Sequence, residues 1–255
     1  MDRAFYDRYF ELEGRHWWFV GRRRIIREEV ERSLRALAPP PSGTPSLLDI
    51  GCGTGAMLVE LAQFGHVQGT ERERAAAEYA RQRGFADVSV AGSPPLPFET
   101  GSFDLVTILD VLEHIDDDVA MVAEIRRLLR PGGRMVATVP AFPGLWGRQD
   151  EISHHERRYV RSTLSESVER SGLRLERLTY FNTALFAPIA TVRLLRRLRP
   201  DHGELSSDFE MTTPGIINEA LGRVFSLEAS WLASRNLPFG VSLMAVAERR
   251  PDDET

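Results

Sequence analysis

The chain has 255 residues, of which 32 are basic and 37 acidic, so its formal net charge is −5 with histidine neutral. Its 42% of hydrophobic residues is ordinary for a globular domain, and a chain of this length buries a sizeable core without disulfides. Cys52 is the only cysteine, which excludes an intramolecular disulfide framework and a cysteine-rich zinc site. The acidic balance, without a basic low-complexity tract, predicts no nucleic-acid partner, because phosphate neutralisation supplies most non-specific affinity.

Neither a signal peptide nor a membrane span is expected. Charged residues are interspersed through the first eight positions, where a signal peptide would have its apolar stretch. The longest apolar run, residues 184–192, is far shorter than the roughly 20 residues that span a bilayer. We therefore predict a soluble, cytoplasmic protein without stable membrane insertion.

Residues 1–45 are predicted to form an N-terminal helical extension. An aromatic stretch at 17–19 is followed by apolar residues that recur at helical spacing, at Ile26, Val30, Leu34 and Leu37. The prolines and glycine of 39–43 end this helix. The aromatic residues either close over a ligand as a lid or dock the helix on the core, and the pattern favours neither.

From residue 46 onward, short apolar runs alternate with amphipathic stretches, which is typical of βαβ units on a parallel sheet. Strands are predicted at 47–50, 67–71, 88–91, 103–109 and 135–139. Helices are predicted at 56–64, 73–83 and 119–129, with 130–133 as the turn into the fifth strand. This order predicts a doubly wound α/β fold.

The main domain is predicted to extend from 46 to 255. A further helix ends at 171–172, and two more strands are predicted at 173–180 and 241–248. Between those strands lie two predicted helices, 184–198 and 216–232, which form an insertion of about 184–236 over the rim of the site. The arginine-rich segment 192–199 is interpreted as a solvated helix with its leucines packed inward, or as a surface that touches anionic lipid.

A glycine loop, Gly51-Cys52-Gly53-Thr54-Gly55, follows the first predicted strand and lets the backbone approach a ligand without an intervening Cβ. With Ala56, it also satisfies the dinucleotide fingerprint G-x-G-x-x-G/A, and Glu71 lies about 20 residues further on for the ribose hydroxyls. Asp49 favours a different ligand, because its carboxylate would repel a pyrophosphate but attract the sulfonium and ammonium of S-adenosylmethionine. The motif alone leaves both ligands open.

Four further motifs follow the glycine loop in order. They are Leu96-Pro97-Phe98, Ser102-Phe103-Asp104, Leu112-Glu113-His114 and Arg130-Pro131-Gly132-Gly133. Over at least 47–139 the chain thus resembles the class I S-adenosylmethionine-dependent methyltransferases, in particular their small-molecule group. The resemblance implies S-adenosylmethionine as cofactor and a seven-stranded, mostly parallel sheet with an antiparallel last strand. Segments 16–19 and 150–159 are similar to a subset that modifies glycans or secondary metabolites.

The resemblance also implies which residues bind the cofactor. The backbone of Gly51 and Gly53 would line the methionine part, with Asp49 near its amino group. Glu71 would accept hydrogen bonds from both ribose hydroxyls, since a carboxylate has two acceptor oxygens.

Further cofactor contacts are implied for Arg72, beside the adenine, and for Leu109 and Asp110, which would contact the methionine moiety and face the substrate. One position departs from the family pattern. Where the family commonly has Gly-Asp, this chain has Ala91-Gly92-Ser93. Ser93 is therefore the expected adenine contact, together with backbone groups or stacking.

The loop after the fifth strand supplies the candidate catalytic residues, because open α/β folds bind ligands at this edge. It contains Asp150, His154, His155 and Tyr159. His155 is the expected general base for a hydroxyl acceptor, since imidazole titrates near neutral pH. Tyr159, and Asp110 from the end of the fourth strand, are the other expected catalytic residues. The alternative for both histidines is a solvated or hydrogen-bonded loop position.

Asp110, Glu113 and His114 are spaced as D-x-x-E-H, and their oxygen and nitrogen atoms could together hold a divalent cation. Capping of the following helix or hydrogen bonding to the backbone explains Glu113 and His114 more simply, so no metal is predicted.

We predict an S-adenosylmethionine-dependent methyltransferase acting on a small-molecule oxygen, nitrogen or carbon, such as that of a secondary metabolite, glycan or quinone. The expected partners are this acceptor and a second copy of the chain in a homodimer. An NAD(P)-dependent oxidoreductase stays open as an alternative, although the chain has no lysine for a tyrosine–lysine pair. A non-catalytic binding module on the same fold is the other alternative.

Overall fold

A computed structural model describes residues 3–40, 42–198 and 215–252 of the chain. The strands are β1 Ser46–Ile50, β2 His66–Glu71, β3 Val88–Val90, β4 Phe103–Leu109, β5 Leu129–Pro140, β6 Arg174–Phe181 and β7 Ser242–Glu248. The helices are α1 Arg3–Glu13, α2 Trp17–Arg35, α3 Ala56–Leu61, α4 Arg74–Gln82, α5 Asp118–Leu128, α6 Arg148–Ile152, α7 Arg161–Arg170, α8 Phe186–Leu198 and α9 Gly215–Leu232.

The strands form one sheet in the order β3-β2-β1-β4-β5-β7-β6. Only β7 is antiparallel to its neighbours, so the predicted seven-stranded, mostly parallel sheet with a reversed last strand is confirmed. The chain order reverses beside β1, because β2 and β3 extend to one side of it and β4 and β5 to the other. Such a switch point opens a crevice at the carboxyl ends of the strands, where α/β folds bind ligands.

Alternate residues of the central strands enter two separate cores. Leu48 of β1 packs into a cluster with side chains of α5 and α7, whereas its neighbour Leu47 packs into a second cluster with α2 and α9. All seven residues of β4 are buried, as expected for a parallel strand covered on both faces. The sheet is thereby held rigid beneath its carboxyl edge.

The N-terminal extension and the insertion pack on each other. Gly21 of α2 lies against Phe225 of α9, and a Cβ at position 21 would come within 2.4 Å of the Phe225 ring. Glycine therefore lets the two helices approach closely at this point. Because α2 and α9 share one core cluster, they position the segments that cover the crevice.

Three features differ from the sequence-based expectations. α1 is a separate helix whose bounds were not predicted, and its aromatic side chains have specific partners, such as Arg83 over the ring of Phe10. The predicted turn 130–133 is part of β5, because the amide of Gly132, at a φ of 76°, donates to the carbonyl of Arg249, and the amide of Arg249 donates to the carbonyl of Gly133. The short helix α6 lacks a sequence signal because it has barely more than one turn.

The structure revises the interpretation of α8. Leu194 and Leu195 are 60% and 56% exposed, so they do not pack inward as the solvated-helix interpretation required. The end of the arginine-rich segment and the chain that follows it, up to 214, lie outside the described residues. Among the helices described, none combines the length and apolar composition needed to cross a bilayer.

Candidate functional site

A cavity of about 600 Å³ lies at the carboxyl edge of the sheet, beside the switch point. Side chains from α1, α2, α8 and α9 form its outer wall. The predicted cofactor residues that line it are Asp49, Gly51, Gly53, Glu71, Arg72, Leu109 and Asp110. Its volume suits a nucleoside cofactor with room for part of a second small molecule.

The backbone amides of the glycine loop at 51–53 donate hydrogen bonds to other groups of the protein. The amides of Gly51 and Cys52 both donate to the carbonyl of Thr70, at 2.8 and 2.9 Å. The amide of Gly53 donates to Glu71 Oε2 at 2.9 Å. A pyrophosphate bound over this turn would need such amides as donors. Since they are already engaged, the loop is built for a ligand without phosphate.

Glu71 joins the glycine loop to the segment after β2. Its second carboxylate oxygen accepts a hydrogen bond from the amide of Glu73 at 2.9 Å. Burial raises the pKa of Glu71 above its ordinary value, although the hydrogen bonds from Glu73 and Gly53 act in the opposite direction. Each oxygen retains a lone pair, so the carboxylate can still accept bonds from a diol.

Asp49 is a buried carboxylate beneath the cavity, only 2% exposed. Thr107 donates a hydrogen bond to it at 2.6 Å. Burial raises the pKa of Asp49 to about 7, against the effects of the Thr107 bond and the positive charge of Arg22. The residue is thus poised to ionise when a cation binds nearby.

Asp110 lies in the cavity wall, and its carboxylate pairs with an arginine of the N-terminal extension. Its backbone has a φ of 56°, and its carboxylate forms a 2.7 Å ion pair with Arg22. Thr138 donates to the same carboxylate at 3.2 Å. The Nε of Arg22 is buried and makes no hydrogen bond, so this guanidinium keeps a donor for a carboxylate ligand.

The aromatic residues of the extension both line the cavity and dock the helix on the core. Trp17, Trp18 and Phe19 line the cavity, and Trp17 also packs edge-on against Phe225 at 5.9 Å. Glu13 ties the extension to the glycine loop, because it accepts hydrogen bonds from Thr54 and Arg83. The extension is therefore a wall of the site as well as a helix docked on the core.

The structure corrects two expected site residues. Tyr159 is buried in the core, with its hydroxyl 2.8 Å from Asp118, and it does not line the cavity. Its hydroxyl satisfies a buried carboxylate and is not a catalytic group. Ser93 is exposed outside the cavity, whereas Ala91 and Gly92 line it. The cavity wall at this point is therefore formed by Ala91 and Gly92 and not by the Ser93 side chain.

His155 lies in the cavity wall, and Asp150 fixes the orientation of its ring through a hydrogen bond. Its Nδ1 donates a 2.8 Å hydrogen bond to the Asp150 carboxylate, which also receives a 2.7 Å bond from Arg158. Burial of Asp150 opposes its ionisation, but His155 and Arg158 outweigh this and lower its pKa to about 2. The ionised Asp150 keeps the proton of a neutral His155 on Nδ1, which leaves the lone pair on Nε2.

Glu113 and His114 lie beside His155. Glu113 is fully buried, neither of its carboxylate oxygens accepts a hydrogen bond, and Oε1 is 3.9 Å from His155 Nε2. Burial, then the charge of Asp110, raises the pKa of Glu113 well above its ordinary value. Burial, then His155, lowers the pKa of His114 to about 4. Neither residue caps a helix through its side chain. His114 meets the other simple expectation, since its Nδ1 lies within hydrogen-bond distance, 3.3 Å, of the carbonyl oxygen of His154, whereas Glu113 meets neither.

Known proteins resemble the sequence and the fold. Residues 48–137 match the family described as "Methyltransferase domain". The nocamycin O-methyltransferase of Saccharothrix syringae is 40% identical over 125 residues, which are 45% of this chain and 44% of that protein. The ubiquinone biosynthesis O-methyltransferase of Marinobacter nauticus is 27% identical over 59% of this chain and 71% of its own length. The chain thus spans less than half of the nocamycin enzyme.

One solved structure matches over nearly the whole chain. It is the complex between the Haloferax volcanii Trm112 methyltransferase activator and a putative methyltransferase, with a TM-score of 0.60, 17% identity, and coverage of 99% and 97% of the two chains. At this identity the likeness shows the fold. Residues 48–137 therefore form a methyltransferase domain, and the sheet order and the glycine loop are those of the class I S-adenosylmethionine-dependent methyltransferase fold.

Proposed function

We propose that the protein transfers a methyl group from S-adenosylmethionine to a hydroxyl oxygen of a small molecule. The observation that carries this proposal is a cavity with carboxylates at the ends of three adjacent parallel strands and a glycine loop whose amides are internally bonded. The carboxylates are Asp49, Glu71 and Asp110. Asp49 attracts the ammonium and sulfonium of the donor, Glu71 accepts hydrogen bonds from its ribose hydroxyls, and the amides at 51–53 are already engaged and do not bind a phosphate.

The acceptor end of the cavity supports a small molecule with an apolar body. Leu185, Pro188, Ile189 and Val192 line it from α8 and the segment before it, and Leu221 lines it from α9. His155 adds a polar side chain to the wall of the same cavity. The nocamycin and ubiquinone relatives are named as O-methyltransferases, which supports an oxygen acceptor here. We propose that His155 activates that oxygen.

A ligand comparison tests the proposal directly. We expect S-adenosylhomocysteine to raise the melting temperature of the purified chain, whereas NAD and NADP leave it unchanged. Stabilisation by a nicotinamide dinucleotide alone would favour an oxidoreductase. Donor binding without methyl transfer to any of a panel of hydroxylated acceptors would favour a non-catalytic module.

Replacing Glu71 with alanine is expected to weaken binding of S-adenosylhomocysteine by roughly 1 to 3 kcal/mol, about 5- to 150-fold in Kd. The substitution removes the ribose acceptor and also releases the Gly53 amide. Isothermal titration calorimetry measures the change. Glu78→Ala, an exposed position on the following helix, is the control and should bind normally. Unchanged affinity in Glu71→Ala would reject the assigned role.

Donor binding is expected to depend on pH through Asp49. Its pKa is raised to about 7, so below pH 7 the buried carboxyl must lose a proton before it can pair with the donor ammonium. Affinity should therefore rise about tenfold per pH unit between roughly pH 5.5 and 7, and level off above about pH 8. Calorimetry in buffers of different ionisation enthalpy should detect proton release. Asp49→Asn should bind more weakly at pH 8 and lose most of this dependence, whereas an equally steep profile in the variant would exclude Asp49 as its source.

We also make two further proposals: first, that two copies of the chain associate as a homodimer, and second, that the protein acts in the cytoplasm. The first is supported by exposed apolar side chains on α9, among them Val224, Leu227 and Trp231. Analytical ultracentrifugation of the wild type and of Trp231→Arg tests the first proposal, with a loss of dimer expected in the variant. Cell fractionation tests the second.

A further inference from the structure

Three potential metal ligands meet at one point of the cavity wall. Glu113, His114 and His155 each offer one ligand atom, and these atoms lie within 4.8 Å of one another. Two of the residues come from the segment after β4 and the third from the loop after β5, so the sheet rather than local sequence brings them together. All three line the cavity.

The buried carboxylate of Glu113 has no hydrogen-bond partner. Its side chain is fully buried, faces the cavity, and has no hydrogen bond to either carboxylate oxygen. Buried polar groups in native proteins are nearly always satisfied, and an exception commonly marks a bound ion, a water molecule or a catalytic function. A cation beside Glu113 would satisfy the carboxylate and offset the cost of burying its charge.

The surroundings of His155 match those of a metal-binding histidine. A histidine that binds a metal through one ring nitrogen usually donates the N–H of its other ring nitrogen to a carboxylate, which fixes the tautomer and the orientation of the ring. Asp150 accepts this bond at 2.8 Å, so the lone pair of the neutral ring is on Nε2, 3.9 Å from Glu113 Oε1. Arg158 and Arg193 lie 2.7 and 3.5 Å from the Asp150 carboxylate, which offsets one of their two positive charges.

We infer that Glu113, His114 and His155 bind one divalent transition-metal ion, through a carboxylate oxygen and one ring nitrogen of each histidine. Two imidazoles and one carboxylate suit Zn²⁺, Co²⁺ or Ni²⁺, whereas Mg²⁺ prefers an all-oxygen set. Asp110 does not belong to the set, because its carboxylate is paired with Arg22. Three protein ligands leave open coordination positions, as in catalytic rather than structural zinc sites.

What the ion would do rests on the proposed function. At the acceptor end of the cavity it would polarise a hydroxyl oxygen and lower its pKa, which makes a better nucleophile for the methyl group. His155 would then activate the acceptor as a ligand of the ion. Binding of the ion itself is independent of methyl transfer and can be measured without donor or acceptor.

The test is a Co²⁺ titration of the full chain after dialysis against a chelator, followed by visible absorption, with Zn²⁺ calorimetry in parallel. We expect one ion per chain. Glu113→Gln and His155→Ala should each weaken binding at least tenfold. Asp150→Asn should weaken it about 10- to 100-fold through the orientation of His155. His66→Ala, which removes an exposed histidine at the start of β2, is the control and should bind like the wild type.

Glu113→Gln also separates binding from folding. It replaces a buried carboxylate that has no hydrogen bond with a neutral group of the same shape, so the metal-free variant should melt no lower than the metal-free wild type. The metal should raise the melting temperature of the wild type but not of this variant. Absence of Co²⁺ and Zn²⁺ binding, or binding that Glu113→Gln and His155→Ala leave unchanged, would overturn the inference.

The same preparation distinguishes this inference from the proposed function. Stabilisation of the metal-free chain by S-adenosylhomocysteine supports the donor site whatever the titration shows. Binding of one metal ion without any effect of S-adenosylhomocysteine would support the metal site and reject the proposed methyl transfer.

Discussion

Replacing His155 with alanine is expected to lower turnover about 100-fold or more, with little change in the affinity for S-adenosylhomocysteine. The reason is geometric. Asp150 fixes the tautomer of His155 so that Nε2 carries the lone pair, and the histidine lies in the wall of the cavity. Removing the imidazole leaves the acceptor hydroxyl without its activating group, whether that group takes the proton or binds an ion that acidifies it.

The measurement is the release of S-adenosylhomocysteine with an acceptor found by screening hydroxylated compounds. His66→Ala is the matched control, because it also removes an imidazole but from an exposed position at the start of β2. Its turnover should equal that of the wild type. Full activity of His155→Ala at every pH would show that alignment of donor and acceptor suffices and that His155 has no catalytic function.

Local patterns in the sequence predicted the part of the site that the sheet itself builds. Asp49 lies in β1, and Glu71 and Leu109 end β2 and β4, so the predicted strand ends already placed them at one edge. Parallel strands with short apolar runs and intervening helices leave little freedom in where their carboxyl ends meet. The reversed last strand does not follow from this regularity, and only the resemblance to the methyltransferase family implied it.

The remaining part of the site depends on contacts between distant segments, which no local pattern encodes. Arg22 reaches Asp110 only because α2 packs across the sheet with α9. Tyr159, which occurs near His155 in the sequence, instead lies beneath the loop and satisfies Asp118. The spacing of Glu113 and His114 suggested a metal site, but with Asp110. The third member, His155, comes from a loop whose path the sequence does not specify.

Gly53→Val is expected to abolish donor binding while the protein stays folded. A Cβ at this position meets no atom within 4 Å, so the first side-chain atom of the valine has open space around it. Because Gly53 lines the cavity, its branched side chain would occupy the space that the methionine part of the donor requires. The φ of 55° adds a cost of about 1 to 2 kcal/mol for a residue with a Cβ, which shifts the loop but does not unfold the domain.

The control for that backbone cost is Gly43→Val, because Gly43 also has a positive φ, 76°, and open space around its Cβ, but does not line the cavity. Both variants should retain the circular dichroism spectrum of the wild type and melt slightly lower. Only Gly53→Val should lose the thermal shift with S-adenosylhomocysteine. Wild-type affinity in Gly53→Val would remove the glycine loop from the donor site, and with it the electrostatic argument built on Asp49 and Glu71. Loss of binding in Gly43→Val as well would indicate that strain rather than occupied space is responsible.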